Sequence, residues 1–561
     1  MSADLQTLAR TGLLRRADAA LSDWISRAFP DSAPEVALAA ALAARAVGEG
    51  HSALQLETAQ TWLADLDGRD EAPALPDPAT WQELLRQSDA VHSVTSASQM
   101  AECRPLALDP QGRVYLARYF GYERRLARDL VGRAQADRLA LVTGGPGSGK
   151  THGVVRMLTA LAEEAHTQAR ALRIALAAPT GKAAARLAQS VRAQLPALAL
   201  PETVAAMIPR EATTLHRLLG MSPASLRAKF HRDAPLRFDV VVVDEVSMVD
   251  LPTMAKLVDA VAADARLVLL GDPDQLSAVE AGDVLGALVE AAREAPLSRC
   301  HTQLAHSHRL AEGSALRKLA DAIVHGDADA ALALLQADDG IRLVDDARQA
   351  LLIENAVEAY RTIRHATDPA HALREADRFR VLTALRHGPA GNLALDRAIE
   401  QRLKRHAGVR GDASWWRGRL LMITANRAEL KLFNGDVGVV WPDADGGMKV
   451  WFDGADGAPR AIPPAALPPH EGAFALTVHK AQGSEFDSVA LVPGADTPVL
   501  TRELLYTGVT RARQGMHVYG GAALLRAGIA RRTRRWNGLA DRLREAAAGP
   551  NSISESLPSA V

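Results

Sequence analysis

The octet Gly144-Gly145-Pro146-Gly147-Ser148-Gly149-Lys150-Thr151 constrains this chain more than any other feature. A loop that wraps its backbone around a polyphosphate points successive N–H groups inward, where a Cβ would clash, so it is built from glycines. The lysine that follows reaches the β- and γ-phosphates as a point charge, and the threonine hydroxyl can ligate Mg²⁺. The flanks fit. LALVT at 139–143 is a short buried-strand run and GVVRMLTALAEEA at 153–165 has helical period, which sets the phosphates at a helix N-terminus.

Such an octet alone also arises as a chance turn, and a second signal makes that reading a poor one. Val240 to Val243 run into Asp244 and Glu245. Two carboxylates at the C-terminal edge of a buried parallel strand stand where Mg²⁺ and an attacking water belong. A solvated acidic pair would not need four valines before it.

At 561 residues the chain exceeds one core, and about three to four domains are expected at roughly 150 residues each. An apolar content of 48% with 23% charged residues is that of a soluble globular protein and excludes a fibrous or wholly disordered chain. Cys103 and Cys300 are too few for a disulfide framework or a cysteine zinc cluster. The N-terminus lacks a basic segment followed by an apolar one, and the longest apolar run, VALAAALAA at 36–44, is too short to span a bilayer. A cytoplasmic protein without a membrane span is expected. A net charge of −1 leaves any nucleic-acid groove to local patches. One such patch gathers Arg526, Arg531, Arg532, Arg534 and Arg535, and reads equally as a phosphate-facing surface or a solvated helix face.

Along the chain, 1–118 carries helical stretches broken by EAPALPDP at 71–78 and no catalytic pattern, which suits a helical docking domain. From 119 to 311, LALVT, RIALAAP, DVVVVDE and RLVLLGD each end in a polar loop, the rhythm of a doubly wound parallel sheet. A second α/β rhythm fills 312–545. It is interrupted at about 410–470 by short β runs set off by Asn434-Gly435, Asp445-Gly446-Gly447 and Asp453-Gly454, the pattern of a small antiparallel insertion. The small, polar segment 546–561 reads as a disordered tail.

Further motifs follow in order: GDPDQLSAVEAGDVLG (271–286) with Gln275, LAHSHRL (304–310) with Arg309, and LLYTGVTRARQ (504–514) with Arg511. An arginine supplied across a cleft raises phosphoryl-transfer rates by roughly 10³ to 10⁵, so two of them could couple cleft closure to hydrolysis. Together with LAAPTGKAAARLAQS (176–190), TTLHRLLG (213–220), VLTALRHGPAGN (381–392), LFNGDVGVV (432–440) and TVHKAQGSEF (477–486), these runs resemble superfamily 1 helicases. They most closely resemble the RecD family, the alpha subunit of exodeoxyribonuclease V (RecBCD), over about 104–520.

That resemblance implies an α/β protein with two RecA-like P-loop domains, an SH3-like insertion and an α-helical N-terminal domain. It implies an ATP- and Mg²⁺-dependent 5′→3′ translocase on single-stranded DNA at a duplex end, working with RecB-like and RecC-like subunits in double-strand break processing. Carried over by position, Gly144, Gly145, Pro146, Gly147, Ser148, Gly149, Lys150 and Thr151 would hold the phosphates. Thr151 and Asp244 would hold Mg²⁺, and Glu245 would be general base. Gln275, Arg309 and Arg511 would surround the γ-phosphate, with Glu485 near the nucleotide. Pro179, Thr180, Lys182, Thr214 and His216 would grip the DNA backbone in the first domain, and Thr477, His479 and Gln482 in the second. Loop-end donors of this kind position a strand without reading its sequence.

A strand-splitting pin is best sought at 221–239. The family's adenine-reading glutamine has no evident counterpart, with Gln135 alone preceding the phosphate loop nearby: either base selectivity is relaxed, or another residue holds the adenine, or that segment has been lost from this version of the chain, and broad nucleotide use is expected. Two alternatives stay open. One is a stand-alone RecD-like helicase; the other is an assembly subunit whose nucleotide site only regulates docking.

Overall fold

The computed structural model describes residues 3–67, 73–94, 104–222, 225, 227–304, 313–337, 340–344, 349–409, 413–454 and 458–549. Arg309 therefore lies outside the described residues, as do Cys103 and the stretch 550–561 of the expected tail.

The apolar runs of the first half form a six-stranded, all-parallel sheet. Its spatial order is His301–Leu304, Leu139–Gly144, Arg266–Gly271, Val240–Val243, Ile174–Ala178, Thr213–Thr214. Side chains alternate across a strand, so a run buried on both faces must be apolar at every position. Val241, Val243, Leu267 and Leu269 pack against the cluster that includes the helices Ala117–Gln135, Leu251–Ala260 and Val284–Ala291. Val240, Val242, Val268 and Leu270 face the helices Lys150–Thr167 and Gly181–Gln194 on the other side. The four valines are thus the middle of a two-sided core.

The second sheet is also all parallel, in the order Ile341–Val344, Ala512–Tyr519, Phe486–Val492, Phe379–Thr383, Ala475–Thr477. The expected β insertion is a five-stranded antiparallel sheet ordered Pro459–Ile462, Met448–Asp453, Val437–Pro442, Leu420–Ile423, His470–Gly472, with its own apolar cluster around Leu421, Val440 and Phe452.

Two features differ from the sequence expectation. Residues 1–118 are not helical throughout: beside the helices Arg16–Ala28 and Pro34–Gly48 they hold a four-stranded sheet, Leu54–Gln55, Arg113–Leu116, Leu106–Leu108, Val91–Ser93. The run VALAAALAA is the buried face of Pro34–Gly48, and no helix among the described residues is long and apolar enough to cross a membrane.

The chain end also does not stay with the second domain. After the helix Ala522–Ala530 it crosses back, and the helix Leu539–Ala548 packs Leu539, Ala540 and Leu543 into the first domain's core. That helix runs through residues 546–548, where the tail was expected to begin. Of the basic patch, Arg526 pairs with Asp329, Arg531 bonds Asp496, Thr497 O and Leu500 O, and Arg535 bonds two carbonyls. Arg526, Arg532 and Arg534 are exposed. Arg526 and Arg531 are held within the second domain, while Arg535 reaches the N-terminal and first domains.

The described part of 221–239 lies along the first domain's flank. Arg232 bonds Asp129 at 2.5 Å and Asp259 at 3.2 Å, and Leu236 N–H donates to Ala260 O.

Candidate active site

The phosphate loop leaves the strand Leu139–Gly144 and enters the helix that begins at Lys150. Gly147 (φ +73°) and Gly149 (φ +83°) take the left-handed backbone that turns it. The Lys150 ammonium folds back on the carbonyls of Gly144 and Gly145. The Ser148 hydroxyl is buried and has no hydrogen-bond partner among the described residues.

Two strands away, Val243 delivers Asp244 and Glu245 to the same sheet edge. Asp244 accepts the Glu245 N–H at 2.8 Å. Burial, reinforced by the Glu245 charge, pushes the Asp244 carboxyl up to about 6. Glu245 sits at φ +53°, a strained position for a residue with a Cβ, costing about 1–3 kcal/mol, and such strain collects at functional sites. A divalent cation fits this donor set. It would relieve the buried carboxylate, take the Thr151 hydroxyl, and leave positions for phosphate oxygens and water.

Between these strands, Arg266–Gly271 ends at Asp272, which gathers three donors: Gln275 Nε2 at 2.9 Å, Asp274 N–H at 3.1 Å and the Tyr506 hydroxyl at 3.0 Å. Burial raises Asp272 to about 6, against the pull of Lys150. Tyr506 comes from the second domain, on the helix Arg502–Val509, and a Cβ on Gly145 would lie 3.0 Å from its hydroxyl oxygen. It closes the nucleotide cleft from the far side.

The next residue of the loop is held just as firmly. Leu276 belongs to the second domain's apolar cluster, its N–H donates to Thr507 Oγ1 at 2.9 Å, and its carbonyl accepts from Gln482 Nε2 at 3.1 Å. Gln275, expected at the γ-phosphate, is buried beside it and bonds Asp272. Arg511, 3% exposed, is near Tyr506 but donates to Thr507 O, Ser484 O and Thr510 Oγ1. To meet a γ-phosphate it must exchange some of these bonds. Glu485 takes Arg186 of the first domain at 3.1 Å and Arg513 at 3.3 Å, so it is an interdomain ion pair here.

The residues expected to grip a strand lie at the C-terminal edges of the two sheets. Ala178 and Thr214 are register partners, which sets Pro179, Thr180 and Lys182 beside Thr214 and His216. The Thr180 and Thr214 hydroxyls cap their own helices through Ala183 N–H and Arg217 N–H. His216 is exposed. Burial lowers the Lys182 ammonium, with Asp377 and Asp436 opposing, and a Cβ on Gly181 would lie 2.5 Å from Phe433 of the β insertion. Thr477 is buried with Lys480 N–H on its hydroxyl, and burial followed by the Arg535 charge lowers His479.

Three residues of this site escaped sequence reasoning: Asp272, Leu276 and Tyr506. All lie inside runs singled out there, but nothing in a run says which of its members reaches across a cleft. Gln135 can be set aside as an adenine reader. It precedes the strand Leu139–Gly144 while the phosphate loop follows it, roughly 20 Å away at 3.3 Å per strand residue.

Family models match three parts of the chain: "RecBCD enzyme subunit RecD, N-terminal domain" over 10–115, "AAA domain" over 128–281 and "UvrD-like helicase C-terminal domain" over 472–519. The RecBCD enzyme subunit RecD of Mycobacterium tuberculosis is 38% identical, with 96% of each chain covered. That of Mycolicibacterium smegmatis is 40% identical over 92% of this chain and 95% of its own. The ATP-dependent RecD2 DNA helicase of Deinococcus radiodurans is 33% identical over 72% of this chain and 50% of its own. Among solved structures, Bacteroides Pif1 bound to ssDNA is 17% identical with a TM-score of 0.39, over 71% of this chain and 93% of that one.

Proposed function

The chain belongs to the RecD family of RecBCD enzyme subunits and is an ATP-dependent DNA helicase, and from that premise we propose that it translocates 5′→3′ on single-stranded DNA at a duplex end, within a complex with RecB-like and RecC-like subunits. The observation that carries the motor reading is the loop 272–276. Its first residue is bonded by Tyr506 at the phosphate loop, and its last by Gln482 of the strand grip. A change at the nucleotide is thereby a change at the strand.

In this reading the Gly144–Thr151 loop cradles the triphosphate, Lys150 leaves the Gly144 and Gly145 carbonyls for the β- and γ-phosphates, and Gln275 orients the attacking water. Mg²⁺ at Thr151 and Asp244, when bound, neutralises charge on the transferred group. Glu245 takes the water's proton, and Arg511, with Arg309, stabilises the transition state. A triphosphate bonded from both domains favours the closed cleft by the difference in its affinity for the two states, and hydrolysis withdraws that difference. Pro179, Thr180, Lys182, Thr214 and His216 then alternate their hold with Thr477, His479 and Gln482. Opening duplex costs about 1.4 kcal/mol per base-pair step, a load a stepwise motor can bear.

The RecD subunits match this chain over nearly all of their length, which supports the subunit reading over the stand-alone one. A Lys150→Gln variant tests the motor. The expected result is an intact complex, hydrolysis reduced by about a hundredfold or more, as for loss of one preorganised charge-stabilising group, and no 5′→3′ movement. Unchanged unwinding with an intact complex would leave only the assembly role. ATP and GTP hydrolysis should proceed within about tenfold of each other, since Gln135 lies at the far end of the strand that leads to the loop; strong ATP preference would mean that another residue reads adenine.

A further inference from the structure

The loop 272–283 is held at both ends. The second end meets the N-terminal domain. Gly282 N–H donates to Gly50 O at 2.9 Å, and the Arg535 guanidinium bridges what remains, donating through Nη1 to Glu49 O at 2.6 Å and through Nη2 to Ala278 O at 3.1 Å. Gly50 makes room for that bridge: its φ is +87°, and a Cβ there would lie 1.2 Å from Arg535 Nη1.

Arg535 is itself fixed by the residue after it. Trp536 stacks on His51 at 4.3 Å and its N–H donates to His51 Nδ1 at 2.9 Å, while Ser52 N–H donates to Trp536 O at 2.9 Å. On the other side Thr533 is tied to Glu503 of the second domain. The guanidinium is therefore set at the meeting point of all three domains. Its charge reaches Asp283, at the end of the loop, and His479 of the strand grip.

We propose that Arg535 is a positioning residue, through which the N-terminal domain sets the geometry of the loop that carries Gln275. Two carbonyls from different domains converge on one planar fork of donors, an arrangement a lysine ammonium cannot reproduce in the same plane. The loop that senses the nucleotide is thereby stretched between two anchors: the second domain at Asp272 and Leu276, and the N-terminal domain at Ala278 and Gly282. Whatever docks on residues 1–118 has a path of direct bonds to the water-orienting glutamine.

The inference rests on the hydrolysis reading above, and one experiment separates the two. ATP is titrated against the full-length chain with saturating single-stranded DNA, for the parent and for Arg535→Ala, Arg535→Lys, Gly50→Ala and Arg534→Ala. A displaced reacting group costs rate rather than affinity, so Arg535→Ala is expected to lower kcat about ten- to a hundredfold with KM for ATP within twofold. Gly50→Ala, which pushes the guanidinium aside without removing it, should do the same. Arg535→Lys keeps the charge and should recover melting temperature more than kcat. Arg534→Ala, an exposed neighbour with the same change of charge, should match the parent. A kcat per folded molecule within twofold of the parent in Arg535→Ala, or in Arg535→Lys and Gly50→Ala if the alanine variant does not fold, overturns the proposal. So does a rise confined to KM. A parent that hydrolyses nothing on DNA speaks instead against the helicase reading.

Discussion

Asp244 and Asp272 are each pushed up to about 6 by burial, Asp244 further by Glu245. A carboxyl raised in the folded chain weakens the fold wherever it is ionised. That penalty is present above about pH 6 and is relieved as pH falls through 6 towards the ordinary value of about 4. In the proposed mechanism hydrolysis needs ionised Asp244, so activity and stability should part company on acidification. Asp244→Asn is expected to abolish hydrolysis yet raise the melting temperature at pH 7.5 by a few degrees, at about 2–4 °C per kcal/mol for a domain of this size. The gain should shrink near pH 5, and a variant that melts lower than the parent at pH 7.5 would contradict the account. Tyr506→Phe removes a donor that favours ionised Asp272, so the acid limb of the ATPase profile should move to higher pH; an unmoved limb would mean that Asp272 does not limit the reaction. At this scale the sequence was legible where polar residues follow apolar strands, so that Lys150, Thr151 and Asp244 could be expected at one sheet edge. It was silent on Asp272 and Tyr506 as a pair, because 234 residues of separation carry no information about a 3.0 Å contact.

Among elements, the closing helix Leu539–Ala548 depends on one buried cation. Arg542, 3% exposed, faces Asp109 and Glu123 at 3.4 Å each and lies over Phe120 at 4.3 Å. Burial raises Glu123 and Arg542 opposes it, while Ser52 Oγ and Gly538 N–H complete its shell. Removing Arg542 leaves Glu123 buried without its cation, while Asp109 keeps Arg113 at 2.7 Å, so Arg542→Ala should cost about 3 kcal/mol. Limited proteolysis should then cut near the freed helix first; uniform protection would show that the helix holds by its apolar face alone. The large strands could be read from the sequence because a run such as Val240–Val243 is apolar at every position and ends in a polar loop. The N-terminal sheet could not, since strands of two to four residues are too short for alternation to register. The arginine patch was ambiguous for another reason: charge alone does not distinguish a phosphate from a neighbouring carbonyl, and Arg531 and Arg535 found carbonyls.

For the whole molecule, domain order along the chain and domain membership in space are different things. Leu276 is covalently first-domain yet buried in the second-domain core, and the residues after Arg535 close the first domain although they come last. Leu276→Ala deletes a packed side chain at the domain boundary, worth about 2–5 kcal/mol, and this loss falls on the closed cleft. KM for ATP should rise about tenfold or more while kcat at saturation stays within about threefold, the reverse of the Arg535→Ala signature; an unchanged KM would show that Leu276 seats without bearing on closure. The boundary at 545 drawn from sequence follows the α/β rhythm, and that rhythm has no way to announce that a terminal helix returns. The return has a consequence for biosynthesis. Asp109 waits for Arg542, 433 residues later, and at about 5–20 residues per second the ribosome needs roughly 20–90 s to supply it. Throughout that interval Asp109 has Arg113 at 2.7 Å, but Glu123 lacks the cation that offsets its burial, so final consolidation waits for the closing helix, and a message truncated before codon 542 yields a chain that never locks.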